Sequence, residues 1–421
     1  MKNIHKGHIL GFAAFFIIPL AIFMPKSLAP LFVVTSLLIL GFHVSKQRVF
    51  PKLPPKQLVL FLVASIWALT SSIWSIAPDE TLSLILPLSA TFFAGLVISS
   101  VASNFSATET ETFSKFLVVG FFIGIIILTI EIITPLLLTQ YLHSVILGKG
   151  FDTTIRARGF GAENFYKNGV TIAALLFWPC LAILWNRFGR FAALALTLVL
   201  TFIFFISGSL SAFVALVTGV VAALGFLVFK GKAINIYIIA VVLATFAAPL
   251  IPQALPDTRE LSKIAPRFPD SVFPRIVIWK YAASIIAEDP ISGKGLDTAR
   301  VVSRNTKVIK FFGQNGGGRV TPGIPLHPHN TILQIWVELG LVGAIIFGLI
   351  MITILRQVGR LKCDVSISTS VIGMFFTTFF VANVSYGIWQ SWWQSAIWLN
   401  VAFIVLLAKA NNSQGDRIVS S

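Results

Sequence analysis

Charge is scarce in this chain of 421 residues: Asp, Glu, Lys and Arg together make up 11% of it. Soluble domains carry about 25%, so water is excluded as the solvent of most of its surface. Acidic residues number 16 against 32 Lys and Arg, for a net charge of +16. Cysteine is almost absent, with two residues. Cys180 falls in an apolar run and Cys363 in a basic turn, so they are not expected to meet, and the count excludes a thiolate metal site. Of the 6 histidines, His327 and His329 stand closest together, without a carboxylate at metal-ligand spacing. The expectation is an unmetallated site. Nucleophile-elbow, Walker and dinucleotide-binding motifs are missing too. The tract Gln314-Asn315-Gly316-Gly317-Gly318 lacks the Lys-Ser/Thr of a phosphate-binding loop and reads as a mobile lid or, more simply, as slack.

What is there is hydrophobic: 56% of residues. Apolar runs of about 20 residues recur from end to end, each able to cross a hydrocarbon core of roughly 30 Å as a helix. About twelve spans can be laid out, at roughly 9–24, 28–44, 58–74, 82–101, 116–134, 170–184, 191–207, 210–229, 234–251, 331–354, 367–384 and 392–408. The first, near Ile9, follows a weak basic head and lacks a small-residue cleavage site, so it reads as a retained helix. The sixth is short. The expected fold is an all-α polytopic membrane protein, a single integral membrane domain over 1–421. Lys46, Arg48, Lys52, Lys56, Arg187, Arg190, Lys230, Lys232, Arg356, Arg360, Lys362 and Lys409 fall on one side, while the opposite turns Ser75–Thr81 and Ser385–Trp393 carry no Lys or Arg. The positive-inside rule then puts both termini in the cytoplasm.

Two segments on the far side are long. One runs over about 134–168 and carries Lys149, Arg156, Arg158 and Lys167; the other, about 252–330, holds eleven Lys and Arg against six acids. Long loops cross regardless of charge. A basic surface there faces anionic lipid headgroups or a phosphate-bearing substrate; the membrane setting removes the nucleic acid that +16 would imply in a soluble protein. Within the longer loop, Val272, Phe273, Ile276, Trp279, Ala283 and Ile286 recur at helical steps. An amphipathic helix over about 271–287 is expected, ended by Asp289-Pro290 and able to lie along the membrane surface.

His329 stands immediately before Asn330, a good helix N-cap, and a long apolar helix follows. An imidazole beside a helix N-terminus suits an anion and a proton transfer together; a histidine that merely flanks a cap is the simpler reading. His327, across Pro328, is its rival. Glu131 lies near the outer end of a span, where a carboxylate is costly, and carries no catalytic expectation. Glu338, farther along the helix after His329, is a candidate for orienting an arginine. Trp389, Trp392, Trp393 and Trp398 read first as an interfacial belt, with sugar stacking as the second reading.

The stretch His329-Asn330, nine residues, then Gly340-Leu341-Val342-Gly343 is similar to the H-N/S-x9-G-x-x-G signature of the O-antigen ligase family. PRIVIWKYAASIIAEDPISGKGLDT (Pro274–Thr298) resembles that family's R-x-x-x-W…P-x-x-G-x-G segment, and RARGFGAENFYKN (Arg156–Asn168) its R-x-x-G…N-x-x-x-N segment. At Ser209-Leu210-Ser211, where relatives commonly have Ser-Arg-Gly, the arginine is missing. LTSSIWSIAPDETL near Trp74 also looks familial.

The resemblance implies a metal-independent membrane glycosyltransferase of the bacterial inner membrane, acting at its periplasmic face. Its donor is a glycan on undecaprenyl diphosphate and its acceptor a sugar hydroxyl of lipid A-core. His329 matches the family histidine proposed as base, and Arg158 and Arg275 match the arginines thought to hold the diphosphate. Arg156, two residues from Arg158, is the competing match; Arg319 and Asn330 complete the candidates. A polymerase using the same donor, with another lipid-linked repeat as acceptor, fits the same motifs. A polysaccharide or lipid transporter fits poorly, because the spans carry almost no charge to mark a pathway and no inverted repeat is evident.

Overall fold

The computed structural model describes residues 4–134, 136–148, 163–265, 267–304, 308–313 and 316–419, with the side chains of Leu147 and of 412–419 left aside. A backbone in hydrocarbon must satisfy its own N–H and C=O groups, and each apolar run does so as a helix. In order these are α1 (Lys6–Phe23), α2 (Leu28–Gln47), α3 (Pro55–Thr70), α4 (Pro78–Ala102), α5 (Ala107–Ile133), the short α6 (Leu137–Leu147), α7 (Glu163–Phe188), α8 (Arg190–Ile206), α9 (Leu210–Phe229) and α10 (Gly231–Ala247). After the long loop come α13 (Thr331–Val358), α14 (Val365–Val384) and α15 (Ser391–Val419). Among the described residues, 10 helices are long and apolar enough to cross a membrane, while α8 and α10 are apolar but shorter. Together they coincide with the twelve expected runs, and the chain is an all-α polytopic membrane protein.

The sixth run is lengthened by the preceding loop, the extension that its short apolar stretch allowed for. It begins at Glu163 inside the expected loop, and 83% of its apolar window is buried, the largest share of any span. Every residue from Gly169 to Ala182 is enclosed, since α1, α5, α8, α9, α14 and α15 pack round it. A helix apolar on all sides has this central place open to it. Its one polar ring atom in that stretch is satisfied: the Trp178 indole N–H donates to Thr377 Oγ1 at 2.9 Å. Glu131, fully buried, caps α6 by accepting from the Leu138 and Thr139 amides at 2.7 and 3.1 Å and from the Thr139 hydroxyl.

Successive spans reverse direction, so the α5–α7, α10–α13 and α14–α15 connections gather at one end of the bundle. The longest contains α11 (Thr258–Ile264), α12 (Val272–Glu288) and a hairpin of β1 (Ile309–Phe312) and β2 (Gly318–Thr321), with Lys310 opposite Val320. The hairpin corrects one expectation: Gly318 belongs to a strand rather than to slack. The helix α12 lies within a residue of its expected limits, and its apolar face is covered by protein. Ile278, Ala282, Ile285 and Ile286 are buried with Ile332, Leu333, Trp336 and Val337 of α13. The amphipathic face thus found protein, which removes its apolar surface from any solvent.

The helix α13 is broken at Gly340, at φ 63° and ψ −159°. Its first turns, Thr331 to Gly340, are wholly buried. The break frees backbone groups that Pro290–Gly295 then takes up: the Lys294 and Gly295 amides donate to the Val337 and Glu338 carbonyls at 2.9 and 2.8 Å, and the Leu341 amide donates to Pro290 O at 2.8 Å. The Trp67 indole adds a bond to Leu339 O at 3.1 Å. Non-helical backbone at a membrane boundary survives only with such replacements. The two glycine motifs therefore interlock, for a Cβ on Gly340 would strike the Ile291 carbonyl and one on Gly293 the Glu338 carbonyl. Gly340→Ala should lower stability by at least ~2 kcal/mol, from left-handed strain and this collision. Thermal unfolding in detergent, followed by Trp fluorescence, should show a lower midpoint; a wild-type midpoint would mean the break is adaptable.

Candidate active site

Arg275 and Trp279 are four residues apart and share a face of α12. The Trp279 indole N–H donates to Pro328 O at 2.8 Å, so α12 grips the turn that carries both histidines. Arg275 itself donates through Nη1 to Ser271 O, the carbonyl one turn back, at 2.6 Å. Its Nε is buried without a partner. The edge formed by Nε and Nη2 is therefore uncommitted among the described residues, and that edge is the one that grips two oxygens at once. Burial pulls the guanidinium below its usual value, yet it stays charged.

Five other cations of the long loop already have carboxylates. Lys280 pairs with Asp257 at 3.0 Å, Lys294 with Glu288 and Asp289 at 2.8 and 2.6 Å, Arg300 with Asp297 at 2.8 Å, Arg304 with Glu80 at 2.9 Å and Arg319 with Asp270 at 2.5 Å. Arg319 is thus spent on a half-exposed pair in the hairpin, an arrangement worth little in stability. It makes no bond to Arg275 or His329. Arg156 and Arg158 lie outside the described residues.

His329 adopts φ 53°, a left-handed conformation unusual for a side-chain-bearing residue. Its ring explains what holds it there: Nδ1 lies 2.7 Å from Ser385 O. A carbonyl can only accept, so Nδ1 carries the proton and the neutral ring keeps its lone pair on Nε2. His327 is arranged the other way round. Its Nδ1 accepts the His329 amide at 3.1 Å, so its proton belongs on Nε2. Burial, with help from His329, Arg275 and Arg300, drops His327 to about 3. His329 is lowered as well, by burial first and by Arg275 and Lys167, against the raising effect of Ser385 O. Both imidazoles are neutral near pH 7, and only His329 has an acceptor nitrogen free of protein bonds among the described residues.

Lys167, counted in the sequence only as one of the loop's cations, stands on the first turns of α7 with Nζ 2.9 Å from Asn164 Oδ1. Asn168, one residue on, accepts from the Tyr386 hydroxyl at 2.8 Å, which ties α7 to the connection bearing Ser385. The spacing Asn164…Asn168 was visible in the sequence; its partner was not.

Asn330 caps α13, its Oδ1 accepting from the Leu333 amide at 3.0 Å. The Ile332 amide is taken by Asn383 Oδ1 at 3.2 Å. The helix N-terminus expected as an anion site has spent these donors on the protein. Glu338 contacts no arginine among the described residues; its partners are Asp297, Ala299, Gln334 and Trp389. Trp389 is therefore an internal donor and Trp393 is 1% exposed, which corrects the reading of these two as an interfacial belt. Beside Trp279 and Asn330 an open cleft of about 210 Å³ is lined by apolar Ala244, Ala248, Ile332, Leu333 and Phe379.

A sequence model of the O-antigen ligase family matches residues 192–348. That interval contains Arg275, Trp279, both histidines and the break at Gly340, while Lys167 and Ser385 lie outside it. The chain is also similar to a Rickettsia felis protein named "Putative polysaccharide ligase", 25% identical over 349 residues that cover 82% of this chain and 79% of the relative. A Rickettsia typhi protein of like name is 28% identical over 283 residues, 66% of this chain and 67% of the relative. The motifs, their order along the spans and these likenesses agree: the chain is similar to the O-antigen ligase family, whose model it matches over residues 192–348.

Proposed function

We propose that the protein transfers a glycan from undecaprenyl diphosphate to a sugar hydroxyl of lipid A-core, at the periplasmic face of a bacterial inner membrane. The observation that carries this reading is the pinned turn. One helix face holds an arginine whose edge is uncommitted among the described residues and, through Trp279, the turn whose His329 Nε2 is a free acceptor among them. In the reaction His329 Nε2 takes the acceptor's hydroxyl proton as its oxygen bonds to the anomeric carbon. The bond from that carbon to the diphosphate oxygen breaks, and the electron pair leaves with the diphosphate. Arg275, with Arg158 and the Lys167 ammonium, stabilises the negative charge that grows there. No step calls for a metal or a nucleotide. The apolar cleft beside Trp279 suits the isoprenoid end of such a donor, which is drawn from the bilayer.

The test is transfer by the purified protein offered lipid-diphosphate-linked glycan together with lipid A-core, without metal or nucleotide. Glycan on lipid A-core is the expected result. Chain growth on the lipid diphosphate, with lipid A-core untouched, would replace the ligase reading by a polymerase one. Glycan left on its donor would overturn both.

A further inference from the structure

Glu338 is 0% exposed, and no cation bonds to it among the described residues. Its carboxylate instead accepts four N–H groups: the Asp297 amide at 2.8 Å, the Ala299 amide at 3.4 Å, the Gln334 side chain at 3.0 Å and the Trp389 indole at 2.5 Å. These come from three separate segments. A buried carboxylate left partly unsatisfied is expensive, so the arrangement resists loosening at any one point. Gln334, one turn nearer His329 on α13, extends it: its Oε1 accepts the Ile388 amide at 3.1 Å while its Nε2 serves Glu338.

The α14–α15 connection is thus anchored on α13 at Ile388 and Trp389. Its first residue, Ser385, supplies the carbonyl that meets His329 Nδ1. Tyr386, between them, is held by Asn168 of α7. We propose that Glu338, together with Gln334, is a positioning residue: it holds this connection so that the Ser385 carbonyl fixes the His329 tautomer and leaves Nε2 as the base. Glu338 touches none of the reacting atoms. The inference rests on His329 being the base of the transfer, but its geometric part can be read without substrate.

The groups that act on His329 are Arg275 from α12, Lys167 from α7 and the Ser385 carbonyl, with His327 on its own turn. Of these the carbonyl stabilises the imidazolium, and the two cations oppose it. Loosening the connection therefore moves the His329 titration to lower pH.

Two substitutions approach the anchor from opposite sides. Trp389→Phe keeps a ring and deletes the indole donor; Glu338→Gln keeps the shape and turns one acceptor oxygen into a donor. In the full-length protein in detergent, diethylpyrocarbonate modification of His329, followed by mass spectrometry across pH, reads the neutral imidazole directly. Both variants should titrate lower than wild type by about half a unit or more. Transfer should show kcat down about tenfold at little-changed KM. A merely structural residue would lower the unfolding temperature and leave the His329 midpoint in place, and a wild-type midpoint in Trp389→Phe would overturn the proposal even if Glu338→Gln fails to fold. Wild-type protein that transfers nothing would defeat the proposed function instead, while the modification midpoints still decide the positioning role.

Discussion

His329→Ala should insert and purify like the wild type and transfer glycan about 10²- to 10⁴-fold more slowly, the range that a positioned general base supplies. Removing the ring also removes the bond to Ser385 O, but α13 keeps its Asn330 cap and its Asn383 bond, so the loss should be in kcat rather than in yield. The pH dependence carries a sign. A base must be neutral to work, and burial with Arg275 and Lys167 holds His329 below its ordinary value of 6.5. The acid limb of kcat/KM for wild-type protein should therefore lie below pH 6.5, with full activity above it. A limb at a clearly higher pH would assign the proton to another group. Transfer at the wild-type rate by a well-folded His329→Ala protein would falsify the base.

Arg275→Lys should behave nearly like Arg275→Ala, both losing about 10²- to 10³-fold in transfer, a magnitude typical of deleting a donor to developing charge. Lysine restores the charge but not the Nε–Nη2 edge, which among the described residues is uncommitted. It cannot make two parallel bonds from a fixed plane. Near-complete rescue by lysine in the same transfer assay would reduce Arg275 to a point charge. The helix should survive either change, because its buried face is made of Phe273, Ile276, Ile278, Ala282, Ala283, Ile285 and Ile286 rather than of Arg275.

Much of this architecture could be read from the chain. The spans were legible because lipid imposes one requirement, an apolar run that closes its own hydrogen bonds. The limits of α12 were legible from its apolar steps and its Pro274 and Pro290 punctuation. The Asn330 cap was legible because capping is local. Its consequence was misread: that the capped end would offer amides to an anion ignored Asn383, which arrives from 51 residues away. What covers the apolar face of α12 was not legible for a related reason. An amphipathic face states only that something apolar will cover it, and in this fold α13 does so.

The all-α membrane class, the order of the spans and the candidates Arg275 and His329 were all legible in the linear chain. Their type and spacing are properties of neighbouring residues. Which nitrogen of His329 is uncommitted among the described residues, why Gly340 cannot bear a side chain and what Glu338 holds come from packing alone. Those answers depend on Pro328 meeting Trp279 across 49 residues, Ser385 meeting His329 across 56 and Glu338 meeting Trp389 across 51. Contacts of that separation leave no periodicity in the chain, because they arise from packing between helices and not from the repeat of any one of them.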